Sequence, residues 1–178
     1  MHLCKRDIKF IFFNLIMVNT PQRIIVHLDL DTFFLSVELL NHPEHIGKPA
    51  FVGGRERGVV TSASYEARAF GVRSGMPSRK ALQLCPQAIV LGGSRGEYSR
   101  YSRWVTQIIA AKAPLFEKAS VDEFYIDLTG MQKFFDPLQW TIDLRKQIMD
   151  ETKLPISFGM ASNKMMAKIA TDEAKPNG

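Results

Sequence analysis

With 178 residues, 46% of them apolar and 23% charged, the chain is globular, with material for one well-buried core or two small ones; an unstructured or fibrous protein is excluded. A formal net charge of +5 permits a polyanionic partner such as nucleic acid or a triphosphate without requiring one. Two cysteines, Cys4 and Cys85, are too few for a disulfide framework or a thiolate metal centre, so a reducing cytoplasm is the expected compartment.

The first eighteen residues, "MHLCKRDIKFIFFNLIMV", combine early positive charge with an apolar stretch. Lys9 and Asn14 interrupt that stretch, no small-residue cleavage site follows, and it is too short to span a bilayer, so no membrane association is expected. Residues 1–20 read as a poorly ordered extension, with Met17 a candidate initiator and folded structure expected from about Pro21. Runs rich in β-branched and apolar residues predict strands over 23–30, 50–52, 58–62, 88–91, 116–121, 124–128 and 156–161. Ser94 and Glu97 have the spacing of a capping box, apolar residues then recur at helical period, and Pro114 closes a helix over 97–113. Asp136 and Pro137 open a second helix that runs to about Thr152, and a third starts after Ser162 and ends before Pro176.

Without residues 32–93 the order is strand, helix, strand, strand, helix, strand. That is the βαββαβ, ferredoxin-like unit of the α+β class, and the excised block reads as an inserted small α/β lobe with its own core. A right-handed crossover makes the first two strands parallel, and the hairpin return places the third between them, antiparallel to both. The carboxyl end of "RIIVHLDLD" then lies beside the turn at Asp122 and Glu123, so Asp29 and this pair are expected to converge on one sheet edge. Asp31 is held as structural or outlying.

Converging carboxylates repel unless a cation intervenes, and an oxygen-only donor set suits a hard ion such as Mg²⁺. Two such ions can activate an attacking hydroxyl and hold a leaving phosphate, which points to phosphoryl or nucleotidyl transfer. The stretch "TSASYEARAFGVRSGMPSRKA" adds Ser62 and Tyr65 as hydroxyl donors and Arg68 as a phosphate fork, and Lys175 stands where Pro176 must stop a helix.

Taken together, "HLDLDTFFLSVE", "TSASYEARAFGVRSGMP", "ASVDEFYID" and "AKIATDEAKPNG" resemble, in order and spacing, the Y-family translesion DNA polymerases, most closely the bacterial DNA polymerase IV (DinB-type) branch. The resemblance implies a catalytic palm over 21–32 and 95–178 and a fingers lobe over 33–94, with thumb and little finger absent from this chain and DNA affinity correspondingly weak and salt-dependent. It makes Asp29, Asp122 and Glu123 the catalytic and metal-binding carboxylates, joined by the Leu30 carbonyl. Ser62, Tyr65, Arg68 and Lys175, with backbone amides near Phe33, would bind the incoming deoxynucleoside triphosphate, and Phe34 would be the steric gate against a ribose 2′-hydroxyl. The implied cofactor is two Mg²⁺, with Mn²⁺ a substitute. The implied partners of a monomer are primer-template DNA, the dNTP and, through the absent C-terminal region, a sliding clamp. Leu35 and Ser64 stand where the family commonly has Ala and Asn. The competing reading is a non-catalytic nucleic-acid-binding module on the same fold.

Other signals are discounted. In "HPEH" the histidines His42 and His45 lack further nearby ligands and, beside Pro43, read as a solvated loop. "SRGEYSRYSRW" interleaves basic and aromatic residues, yet its helical period makes the tyrosines core and the arginines exposed. "GGSRGE" lacks the lysine of a P-loop, and Cys85 reads as a small buried apolar residue.

Overall fold

The structure, a computed structural model, describes residues 23–54, 58–176 and 178. The expected extension over residues 1–20 lies outside the described residues. Two sheets organise the chain. The larger has four strands, β1 (Ile25–Leu30), β5 (Phe116–Lys118), β6 (Glu123–Asp127) and β7 (Ile156–Ala161), in the order β5-β6-β1-β7. β6 lies antiparallel between β5 and β1, and β7 is antiparallel to β1 on its far side. This is the ferredoxin-like arrangement, with β6 where the crossover argument puts it.

All six residues of β1 are buried, because both faces of the sheet are covered. One face carries the even-numbered Val26, Leu28 and Leu30 with Phe124 and Ile126, and packs on Val105 and Ile109 of α4 (Arg95–Lys112) and Leu144 and Ile148 of α5 (Pro137–Thr152). The other face carries His27 and Asp29 and is covered by α6 (Lys164–Ala174). α6 sits unusually close: a Cβ on Gly159 of β7 would collide with the Ala167 carbonyl oxygen and the Thr171 nitrogen. Both later helices are capped by side chains, Asp136 accepting from the Leu138 N–H at 2.9 Å and Asn163 from the Met166 N–H at 3.0 Å.

The smaller sheet contains β2 (Ala50–Gly53), β3 (Val60–Ala63) and β4 (Ile89–Leu91) in the order β3-β2-β4. Phe51, Ala67, Ala81 and Cys85 form its core, with Ala67 from α2 (Tyr65–Ala69) and Ala81 from α3 (Ser78–Leu84). Between the sheets runs α1 (Phe33–Asn41), which the sequence reading did not anticipate. Its Phe33 and Val37 enter the larger core, its Leu35 enters a cluster with Ala50 and Val52, and Phe34 touches both.

Two local expectations are corrected. The capping box at Ser94 does not form: the Ser94 N–H and hydroxyl donate to the buried Glu38 carboxylate at 2.8 and 3.2 Å, and Glu97 pairs with Arg100 instead. β5 ends at Lys118 rather than residue 121, because the Ala119 and Ser120 N–H groups fold back onto the Glu123 carbonyl. Of the two tyrosines of α4 expected in the core, Tyr98 is buried and Tyr101 only half-buried.

Candidate active site

The β1–β6 register pairs Asp29 directly with Glu123. Asp122, one residue earlier, accepts the Leu30 N–H on its carbonyl oxygen at 3.1 Å, while its carboxylate accepts from the Ser120 hydroxyl at 2.6 Å. The three acidic residues therefore meet at the end of the two central strands. Asp31 is set apart: it is buried, accepts from the Ser157 hydroxyl at 2.8 Å, and its own N–H donates to the Pro155 carbonyl, tying β1 to β7.

Cationic side chains from α6 and from the residue that caps its C-terminus cover the cluster. Lys175 Nζ lies 2.7 Å from Asp29 Oδ2, and Lys168 Nζ lies 2.6 Å from Glu123 Oε1. Burial raises the Asp29 carboxyl to about 6, Lys175 opposing and the neighbouring Asp122 and Glu123 charges adding to the rise. At Glu123 burial also pushes upward, but the hydrogen bond and charge of Lys168 outweigh it and hold the carboxyl below its ordinary range. Environment thus drives the two facing carboxylates apart in acidity.

His27, two residues before Asp29 and on the same sheet face, is fully buried. Its Nδ1 is hydrogen-bonded to Thr171 Oγ1 at 2.9 Å, and burial lowers its pKa to about 4. A ligand atom of His27 lies within 4.8 Å of carboxylate oxygens of Asp29 and Glu123. Sequence reasoning missed both His27 and Lys168. For His27 the signal was present, period-two alternation from Asp29 along the strand.

The insert contributes Tyr65, Arg68 and Ser62. The Tyr65 hydroxyl is buried without a hydrogen-bond partner among the described residues, and its pKa is pushed up to about 12, by burial first and then by the charges of Asp31 and Asp29. Those charges place it near the acidic end of β1. The Arg68 guanidinium lies 5.0 Å from the Tyr65 ring centre and its Nε donates to the Ala63 carbonyl at 3.1 Å. Ser62 is buried on β3. Ser64 caps α2 by accepting from the Ala67 N–H and ties that helix to β2 by accepting from the Ala50 N–H, both at 3.1 Å.

Phe33 and Phe34 open α1 immediately after Thr32, whose φ of 47° is left-handed. A β-branched residue adopts this region only under strain, and such strain gathers at functional sites. The Thr32 hydroxyl lies 3.0 Å from that of Ser36, and Ser36 donates to the Asp31 carbonyl at 2.7 Å, so the turn is held from both sides. Phe34 is half-buried and meets Tyr98 edge-on with ring centres 4.9 Å apart.

The fold class is a ferredoxin-like α+β sheet with a lobe inserted after its first strand and carboxylates gathered at its rim. A family model described as impB/mucB/samB matches residues 28–172, and the chain belongs to that family. It is 46% identical over 159 residues to the DNA polymerase IV of Treponema denticola, covering 88% of this chain and 40% of that protein. Identity to the DNA polymerase IV of Dehalococcoides mccartyi is 43%, covering 88% of this chain and 41% of that one. Among solved structures it is similar to an insertion ternary complex of Dbh DNA polymerase, with TM-score 0.82 and 34% identity over 87% of this chain and 47% of that chain. DinB from Sulfolobus solfataricus gives the same figures. The chain spans about two fifths of the length of these curated relatives. Among the described residues, no helix is long and apolar enough to cross a membrane.

Proposed function

We propose that these residues carry out template-directed transfer of a deoxynucleoside monophosphate to a primer 3′-hydroxyl, in low-fidelity synthesis past damaged template positions. Residues 21–32 and 95–178 act as palm and 33–94 as fingers. The observation that carries this reading is the Asp29–Glu123 pairing beneath Lys168 and Lys175, with Asp122 beside it. The curated relatives and solved neighbours, named as DNA polymerases, support it.

The donor set fits divalent ions. It is built from carboxylate oxygens, and two of its members already hold ammonium groups at 2.7 and 2.6 Å, so the site attracts positive charge. Asp29, Asp122 and Glu123, with the Leu30 carbonyl, would hold two Mg²⁺, with Mn²⁺ a substitute. Bound there, the ions would acidify the attacking hydroxyl and neutralise the departing pyrophosphate.

The chain's own residues supply the rest. Arg68 and Lys175 offset triphosphate charge, Ser62 and Tyr65 donate hydroxyl hydrogen bonds, and the amides at the start of α1 near Phe33 point at the phosphates. The buried Tyr65 hydroxyl stays protonated near neutral pH and so remains a donor. Phe34, braced by Tyr98, forms a wall beneath the sugar. Primer-template DNA and the dNTP are the partners proposed for a monomer, with a sliding clamp as recruiter. A non-catalytic nucleic-acid-binding module would gain nothing from carboxylates placed face to face at a cost in stability.

Primer extension with Mg²⁺ by the wild type and Asp122→Ala tests this. Metal-dependent deoxynucleotide addition that the variant loses is the expected result. No addition by a folded, DNA-binding wild type would favour the binding module.

A further inference from the structure

We propose that His42, Glu44 and His45 form a binding site for a first-row transition-metal dication, with Zn²⁺ the best fit, separate from the carboxylate cluster. Read as a sequence, the stretch offers two histidines and a loop; the fold turns Glu44 between them. Glu44 Oε1 lies 3.5 Å from His42 Nδ1 and 3.4 Å from His45 Nε2, and the three donor atoms all lie within 4.8 Å of one another. Donors about 2.0–2.1 Å from a tetrahedral zinc stand roughly 3.3–3.4 Å apart, so each nitrogen is about one tetrahedral edge from the carboxylate oxygen. The two imidazole rings stack with centres 6.0 Å apart at 25°.

The backbone is already fixed in the binding shape. Pro43 opens a single 3₁₀ turn (Pro43–His45), the His45 N–H donates to the His42 carbonyl at 3.1 Å, and the Ile46 N–H donates to the Pro43 carbonyl at 3.2 Å. Gly47, with φ 77°, turns the chain onward, and the Lys48 N–H closes onto the His45 carbonyl. Little chain entropy is left to oppose binding. The His42 and Glu44 side chains are 47% and 59% exposed, so an ion can enter from solvent and keep water as its fourth ligand. Nitrogen donors favour Zn²⁺ over Mg²⁺, which separates this site chemically from the oxygen cluster.

The site lies where α1 hands over to β2. His42 is the residue that ends α1, its N–H donating to the Glu38 carbonyl at 3.0 Å. A bound ion would therefore stiffen the connection between the two sheets.

The test is competition for Zn²⁺ between the chain and a chromogenic chelator, using Asp29→Asn alone and with His42→Ala or His45→Ala added. In Asp29→Asn, where the carboxylate cluster is weakened, one Zn²⁺ per chain is expected, and adding either alanine substitution should weaken it about tenfold or more. Thermal midpoints in EDTA should match across Asp29→Asn and its alanine variants, with Zn²⁺ raising only Asp29→Asn. No Zn²⁺ uptake by Asp29→Asn, or uptake there that neither added alanine weakens, would overturn the assignment.

Discussion

Asp29 and Glu123 stand opposite each other across the β1–β6 ladder, a like-charge pairing that sheets tolerate only with a cation nearby. Two cations answer it, Lys168 of α6 on Glu123 and Lys175, which caps that helix, on Asp29. The helix and its C-terminal cap thus neutralise the cluster, and the position of that helix depends on Gly159 beneath it.

The first prediction concerns pH. Folded Asp29 is raised from 3.8 to about 6, so between those values the unfolded chain binds fewer protons and stability falls as pH rises. His27 works in the opposite sense, since burial lowers it from 6.5 to about 4 and its contribution grows as pH rises through that window. The difference between the wild type and Asp29→Asn isolates the aspartate. In EDTA the variant's relative stability should climb by roughly 3 kcal/mol at most from pH 4 to 6 and then level off. Urea unfolding at several pH values measures this, and a constant difference would remove the strained-carboxylate argument.

Gly159→Ala should cost roughly 1–3 kcal/mol, because the added methyl meets α6 backbone rather than a movable side chain. Chemical denaturation gives the loss directly. The same variant should lower nucleotidyl transfer through the shifted α6, whereas an unperturbed variant would show that the helix sits farther off.

Tyr98→Phe removes the hydroxyl that donates to the buried Glu38 carboxylate at 2.5 Å. Losing one charge-assisted bond should destabilise by roughly 1.5–3 kcal/mol, less whatever Ser94 recovers through its two remaining bonds to Glu38. Equilibrium unfolding of the wild type and variant measures it, and a neutral outcome would mean that Glu38 is already satisfied.

Phe34→Ala should narrow the preference for deoxy- over ribonucleotides by roughly 10- to 100-fold, because the aromatic wall disappears while the carboxylates stay in place. Competitive incorporation assays read the ratio. Unchanged selectivity would make Phe34 an ordinary packing residue between the two cores.

The ferredoxin-like order was legible because each strand of the larger sheet is a run of β-formers bounded by turn residues, and because handedness then leaves one placement for β6. The meeting of Asp29 with Glu123 followed from that topology alone. α1 was not legible: it begins directly after a strand without a capping side chain, through a left-handed Thr32 that no propensity anticipates. Its apolar residues serve two cores, so they lack the single stripe of a surface helix. Ser94 misled for a different reason, since its cap was outcompeted by a buried carboxylate 56 residues away. At 42–45 the histidine spacing was visible, but not that a 3₁₀ turn would set Glu44 between the rings.

The most direct test of the central claim is anomalous scattering from Mn²⁺ in crystals grown with primer-template DNA and a deoxynucleoside triphosphate. Peaks bounded by Asp29, Asp122 and Glu123, with Lys168 and Lys175 moved off their carboxylates, are expected. Fully occupied nucleotide with no manganese there, and both ammonium groups still in place, would contradict it.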